Sequence, residues 1–193
     1  MSHQKLFFIA LLPPEEVSQF ATEIKQHFAD IYHSKAALKS PPHITLQPPF
    51  KWNLDNLSIL KEKLHQFSQK QSPIPMTLNG FSAFKPRVIY IDVLKNQELI
   101  NIYEQLNRFL AVNFNIVQEK GKDRGFSPHL TVAFRDLTKA NFYQAWSEFK
   151  DKRIHFHFNI SQLTLLIHYK NKWQIEQNFT FRNIVNSKKE KLN

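Results

Sequence analysis

Pro42-His43-Ile44-Thr45-Leu46 returns, almost unchanged, as Pro128-His129-Leu130-Thr131-Val132. Side chains alternate along an extended strand, so His43 and Thr45 share one face, as do His129 and Thr131. Ile44/Leu46 and Leu130/Val132 then point the other way, into a core. The proline before each histidine disfavours helix in the residue it follows and delivers the chain extended into the motif.

A bare His-x-Thr is a weak signal, but Pro-His-apolar-Thr-apolar should arise by chance on the order of once per thousand chains of this length. Two copies point to a shared cause. A purely structural repeat would have to explain why both polar side chains of each unit stay on one face, since burying them without partners costs a few kcal/mol.

Working outward, Lys5 to Leu12 reads as a buried strand. Pro14-Glu15-Glu16 opens a helix with Val17, Phe20, Ile24, Phe28 and Ile31 on its apolar stripe, because proline and acids favour a first turn. Asp55 is placed to cap a second helix bearing Leu57, Leu60, Leu64 and Phe67. Ile74 to Phe84 and Val88 to Leu94 read as antiparallel strands joined near Lys85-Pro86-Arg87. The second half has a related rhythm. A helix starts at Asn96, a strand is expected near Asn115 to Glu119, and Thr138 caps a helix carrying Phe142, Trp146 and Phe149. Gln162 to Tyr169 and Trp173 to Phe181 form a closing hairpin. The result is an α+β protein in two similar lobes with one motif each, at positions 43 and 129 of 193 residues. A pseudo-twofold relation between the lobes would bring the motif strands face to face across a cleft. No linker separates them, so residues 1–185 are expected to form one bilobal domain, with 186–193 a disordered basic tail.

Hydrophobic residues make up 42% of the chain, enough for a core that the 18 phenylalanines would make aromatic-rich. The three glycines, Gly80, Gly121 and Gly125, are too scattered for a nucleotide-binding glycine loop. The absence of cysteine excludes disulfides, cysteine zinc sites and thiol nucleophiles. The apolar run Leu6 to Leu12 ends in Pro13-Pro14-Glu15-Glu16 without a small-residue cleavage site and reads as a strand, not a signal peptide. No segment is long enough to span a membrane, so the cytoplasm is the expected location and a monomer the expected state. The formal charge of +10 favours a polyanionic partner such as RNA.

Paired histidines of near-neutral pKa suit phosphodiester cleavage. One neutral imidazole takes a proton from the attacking water or hydroxyl; one imidazolium gives a proton to the leaving oxygen. Thr45 and Thr131 are placed to donate to non-bridging oxygens as negative charge grows there. Neither motif has Asp, Glu or Cys at metal-ligand spacing, so no metal or other cofactor is expected; a zinc site would need His43, His129 and a distant third ligand. Displacement in line requires base and acid on opposite sides of phosphorus, which one His-x-Thr cannot supply.

Together the two motifs resemble the signature of the two-histidine (2H) phosphoesterase superfamily, and within it the bacterial 2′-5′ RNA ligase / RNA 2′,3′-cyclic phosphodiesterase branch. The resemblance spans nearly the whole chain, from Phe7-Phe8-Ile9-Ala10-Leu11 and the Pro-Pro-Glu helix start to Leu163-Thr164-Leu165 before the Trp173 hairpin. It implies a bilobal fold, with two antiparallel sheets lining a central cleft and helices outside. It also implies metal-independent opening of 2′,3′-cyclic phosphates on RNA or small nucleotides to 2′-phosphates, and in some members reversible 2′-5′ ligation. His43, Thr45, His129 and Thr131 match the catalytic positions. The chain departs from many RNA-processing members after the first motif, where Gln47-Pro48-Pro49-Phe50 replaces a short apolar-Gly continuation.

Further substrate contacts are expected from Lys122 and Arg124, just before the second motif, and from Phe50 and Phe126, which could stack on a base. His155 and His157 share a strand face but lack a threonine and a repeat partner, and read as a solvent-facing edge. The rival function is a non-catalytic RNA-binding module that retained the fold. A carbohydrate-modifying enzyme ranks last, because no carboxylate pair marks such a site.

Overall fold

A computed structural model describes residues 3–117 and 125–182. Among the described residues, eight strands and four α-helices follow one another along the chain. The strands are β1 (Gln4–Leu11), β2 (Ile44–Asn53), β3 (Ile74–Phe84), β4 (Val88–Val93), β5 (His129–Ala133), β6 (His155–Ile160), β7 (Gln162–Tyr169) and β8 (Lys172–Thr180). The helices are α1 (Glu15–Ile31), α2 (Leu57–Ser68), α3 (Gln97–Phe114) and α4 (Lys139–Phe149).

The strands form one antiparallel sheet in the order β6-β3-β4-β5-β2-β1-β7-β8. Its two four-stranded halves meet at a single pair, Ile44 with Leu130, the residues that follow the two histidines. Hydrogen bonding thus makes the two expected sheets continuous, and the motif strands lie side by side instead of opposed. The alternation within them is as expected: Ile44, Leu46, Leu130 and Val132 are fully buried in the main core. A second, smaller apolar cluster of Phe8, Ala10 and Leu166 lies apart from that core.

Helix ends follow local chemistry. Pro14, at φ −62°, leads into α1, whose first turn carries Glu15 and Glu16. Asn96 accepts from the Leu99 amide at 2.8 Å and starts α3. Thr138 accepts from the Asn141 amide at 3.2 Å and starts α4. The second helix differs from expectation: Asn53, not Asp55, accepts a backbone hydrogen bond there, and a 3-10 turn over Leu54–Asn56 precedes α2. An Asn two residues ahead of a free amide forms this turn readily. No strand begins at Asn115, which sits at φ 54° as the left-handed cap of α3. Residues 118–119 of that expectation, and the 186–193 tail, lie outside the described residues.

The helices tie the halves together. From the first half, α1 packs against β5; from the second, α3 packs against β2. Aromatic rings fill the contacts: Phe149 lies 4.8 Å from Phe28 and 5.0 Å from Phe81 between ring centroids. His155 and His157 are exposed on the edge strand β6, with their Nε2 atoms 2.7 Å apart.

Candidate active site

The Ile44–Leu130 pair sets the site's geometry. In antiparallel register it places His43 beside Thr131 and Thr45 beside His129, a four-residue square with the histidines on one diagonal. Diagonal neighbours of a regular antiparallel pair stand roughly 7–8 Å apart. That spacing leaves room for a phosphate between two imidazoles. All four residues line one cleft of about 720 Å³.

Each ring is held in the same way. Nδ1 of His43 lies 2.7 Å from the carbonyl oxygen of Pro41, and Nδ1 of His129 lies 2.7 Å from that of Ser127. A carbonyl only accepts, so the proton is on Nδ1 and each neutral ring keeps the lone pair on Nε2. Aromatic rings flank both imidazoles. Phe8 lies 4.7 Å from His43, while Phe84 and Tyr90 each lie 5.1 Å from His129.

These surroundings shift the titrations. Burial lowers His43 from 6.5 to about 4; the Pro41 bond opposes this, and positive charge on Lys25 and on His129 adds to it. Burial also pulls His129 below 6.5, against its bond to Ser127. Both imidazoles are therefore neutral in the free protein at pH 7, with His43 the more reluctant to protonate.

Lys25 reaches this region from α1. It is 2% exposed and donates to the Ser40 carbonyl at 3.0 Å, one residue before the Pro41 carbonyl that holds His43. Burial lowers its pKa from 10.5 to about 7.

One wall of the cleft is the 3-10 turn Ala36–Lys39, pinned by Asp136 beyond the end of β5. The Asp136 carboxylate accepts from Ser34 Oγ at 2.9 Å and from the amides of Lys35 and Ala36 at 2.8 and 2.9 Å. Replacing Asp136 with Ala should release that wall. Chemical denaturation is expected to read a loss of about 1–2 kcal/mol, since the two amide bonds are solvent-exposed and the Ser34 bond is only part-buried. KM should rise more than kcat falls.

The four motif residues line the one cleft, but the other expected contacts divide. Phe50 packs against the core, 6.3 Å from Phe7, and does not line the cleft. Phe126 stacks on Tyr103 at 3.9 Å in a separate hollow along α3. Lys122 and Arg124 lie outside the described residues. The cleft instead takes Phe8, Lys39, Phe84, Arg135, His168 and Trp173, none of them anticipated there. Arg135 is held at φ 61°, a left-handed conformation uncommon for a side-chain-bearing residue, with its guanidinium 5.1 Å from the centre of the Phe134 ring. Its place six residues after His129 was the available signal. His168 carried none, because it reaches the cleft through the pairing of β7 with β1. Among the described residues, no three His, Cys, Asp or Glu side chains gather where they could hold a metal ion.

Comparison with known proteins agrees with this arrangement. The sequence profile of the 2′-5′ RNA ligase superfamily matches residues 13–172. A protein named "Putative phosphoesterase" from Geobacillus thermodenitrificans is 33% identical over 175 residues, covering 89% of this chain and 93% of its own. A similarly named protein from Geobacillus kaustophilus is 30% identical with the same coverage. Among solved structures, TT0787 of Thermus thermophilus superposes with a TM-score of 0.67 at 19% identity, covering 93% of this chain and 99% of its own. E. coli LigT complexed with 3′-AMP does so with 0.67 at 15% identity and the same coverage. The likeness in fold to these distant structures, the profile match over most of the chain and the paired His-x-Thr strands agree, and the chain belongs to the 2′-5′ RNA ligase superfamily of two-histidine phosphoesterases.

Proposed function

We propose that the protein is a metal-independent phosphoesterase that opens 2′,3′-cyclic phosphates, at RNA ends or on small nucleotides, by acid–base catalysis between His43 and His129. The observation that carries this reading is the matched anchoring of the two rings. Each Nδ1–H is spent on the carbonyl two residues earlier, which leaves both Nε2 atoms for one cleft. Crystal structures of E. coli LigT complexed with 3′-AMP and with ATP support a nucleotide ligand here. The expected cytoplasmic location and monomeric state belong to the same proposal; among the described residues no helix is long and apolar enough to cross a membrane.

In the proposed reaction water attacks phosphorus, and its proton passes to Nε2 of His43. The bond from phosphorus to O3′ breaks as Nε2–H of His129 gives a proton to that oxygen, leaving a 2′-phosphate. His43 is assigned as base because burial and the Lys25 charge keep it neutral. Thr45 and Thr131 donate to the non-bridging oxygens. The same steps with a 5′-hydroxyl in place of water would join RNA ends through a 2′-5′ linkage, and their reverse would cleave one.

A screen of nucleoside 2′,3′-cyclic phosphates and cyclic-phosphate-ended oligonucleotides tests this against a His43→Ala control. Turnover is expected in wild type, unaffected by EDTA and lost in the variant. Salt-sensitive RNA binding with no product from any substrate would replace the enzyme with a binding module.

A further inference from the structure

Beside the cleft lies a smaller hollow of about 220 Å³ that shares Lys39, Ser40 and Trp173 with it. Three lysines converge there from separate parts of the chain: Lys25 from α1, Lys39 from the 3-10 turn and Lys172 from the start of β8. Among the described residues none of them is paired with a carboxylate. Lys25 is the unusual member. An ammonium has three N–H donors, yet this one is 2% exposed and its hydrogen bond goes to one carbonyl, Ser40. Burying a cation so thinly solvated is costly, and an apolar side chain would pack there at less cost. None of the three lysines gives or takes a proton in the proposed reaction, although the Lys25 charge helps to keep His43 neutral.

We propose that this hollow is a second phosphate subsite, holding a further phosphate of the substrate one nucleoside unit away from the phosphate between the histidines. The substrate class is then a nucleotide or oligonucleotide that carries a 5′-phosphate or an internucleotide phosphate besides its cyclic end, in preference to a lone nucleoside cyclic phosphate. The assignment of the first phosphate rests on the proposed function; the lysine cluster stands independently of it. Trp173, at the shared wall, gives the intervening nucleoside an apolar face to lie against. A phosphate also resolves the cost of Lys25. Burial lowers that amine to about 7, and an anion against it favours the charged form, so a bound phosphate restores the charge that burial opposes.

The test is calorimetric binding, which needs no turnover. Adenosine 2′-monophosphate is compared with adenosine 2′,5′-bisphosphate and with an adenine dinucleotide ending in a 2′-phosphate. Wild type is expected to bind at least one two-phosphate ligand about tenfold or more tightly than the monophosphate, with the advantage shrinking as salt rises. Lys25→Met and Lys172→Glu should each bring that ratio close to one. Lys172 is exposed, so its variant does not put the fold at stake. A gain for the bisphosphate assigns the hollow to a terminal 5′-phosphate; a gain for the dinucleotide alone assigns it to an internucleotide phosphate. A wild-type ratio near one, or a ratio that survives both substitutions, overturns the proposal. If the ratio holds but no cyclic phosphate is ever opened, the subsite stands and the proposed reaction falls.

Discussion

Replacing His43 or His129 with alanine should each lower kcat on a cyclic-phosphate substrate by about 10²–10⁴-fold, the usual worth of a positioned general base or acid. Combining the two should cost less than the product of the separate losses, because the groups act as a unit. The fold should survive, since the strands are held by Ile44, Leu46, Leu130 and Val132 on the opposite face. Leaving-group chemistry separates the roles. A phosphodiester whose leaving group is a nitrophenolate departs without a proton, so it removes the need for an acid but not for a base. His129→Ala should regain most of its activity on such a substrate; His43→Ala should not. The opposite pattern would exchange the two roles.

The second large effect is on pH. The base works only when neutral, above its pKa, and His43 is lowered to about 4. The acid works only when protonated, below its pKa, and His129 is pulled under 6.5. In the free enzyme both conditions hold together only in a window that opens at about 4, where His43 loses its proton, and closes at the lowered pKa of His129. Accordingly kcat/KM should be bell-shaped with its maximum on the acid side of neutrality, falling about tenfold per pH unit once the acid is deprotonated. Bound phosphate favours imidazolium, so the profile of kcat should lie at higher pH than that of kcat/KM. A profile of kcat/KM that rises steadily through pH 8 would mean that no protonated histidine is needed.

Much of this arrangement was legible in the chain before any coordinates. The period-two pattern of the motifs announced both the cleft face and the core face, because a strand has only two sides. Asn96 and Thr138 cap helices as read, since N-capping is a local hydrogen bond. What could not be read was set by distant pairing. Whether β2 and β5 face each other or lie side by side depends on one bridging pair, Ile44 with Leu130, that no local pattern encodes. Phe50 and Phe126 stand near the motifs in sequence, yet core packing claims one and Tyr103 the other. Phe8, His168 and Trp173 arrive at the cleft on β1, β7 and β8, through the strand order. Lys25 reads as part of an ordinary amphipathic helix; only the fold of Ser40-Pro41 over it makes it a buried cation.

The central claim is that two imidazoles bracket one phosphorus through their Nε2 atoms. A crystal structure with a uridine–vanadate complex tests it, because vanadate adopts the five-coordinate geometry of in-line displacement. The account places Nε2 of His43 at one apical oxygen and Nε2 of His129 at the other, with the Thr45 and Thr131 hydroxyls on the equatorial oxygens. Vanadate contacted by a single histidine, or by both at the same apical oxygen, would contradict it.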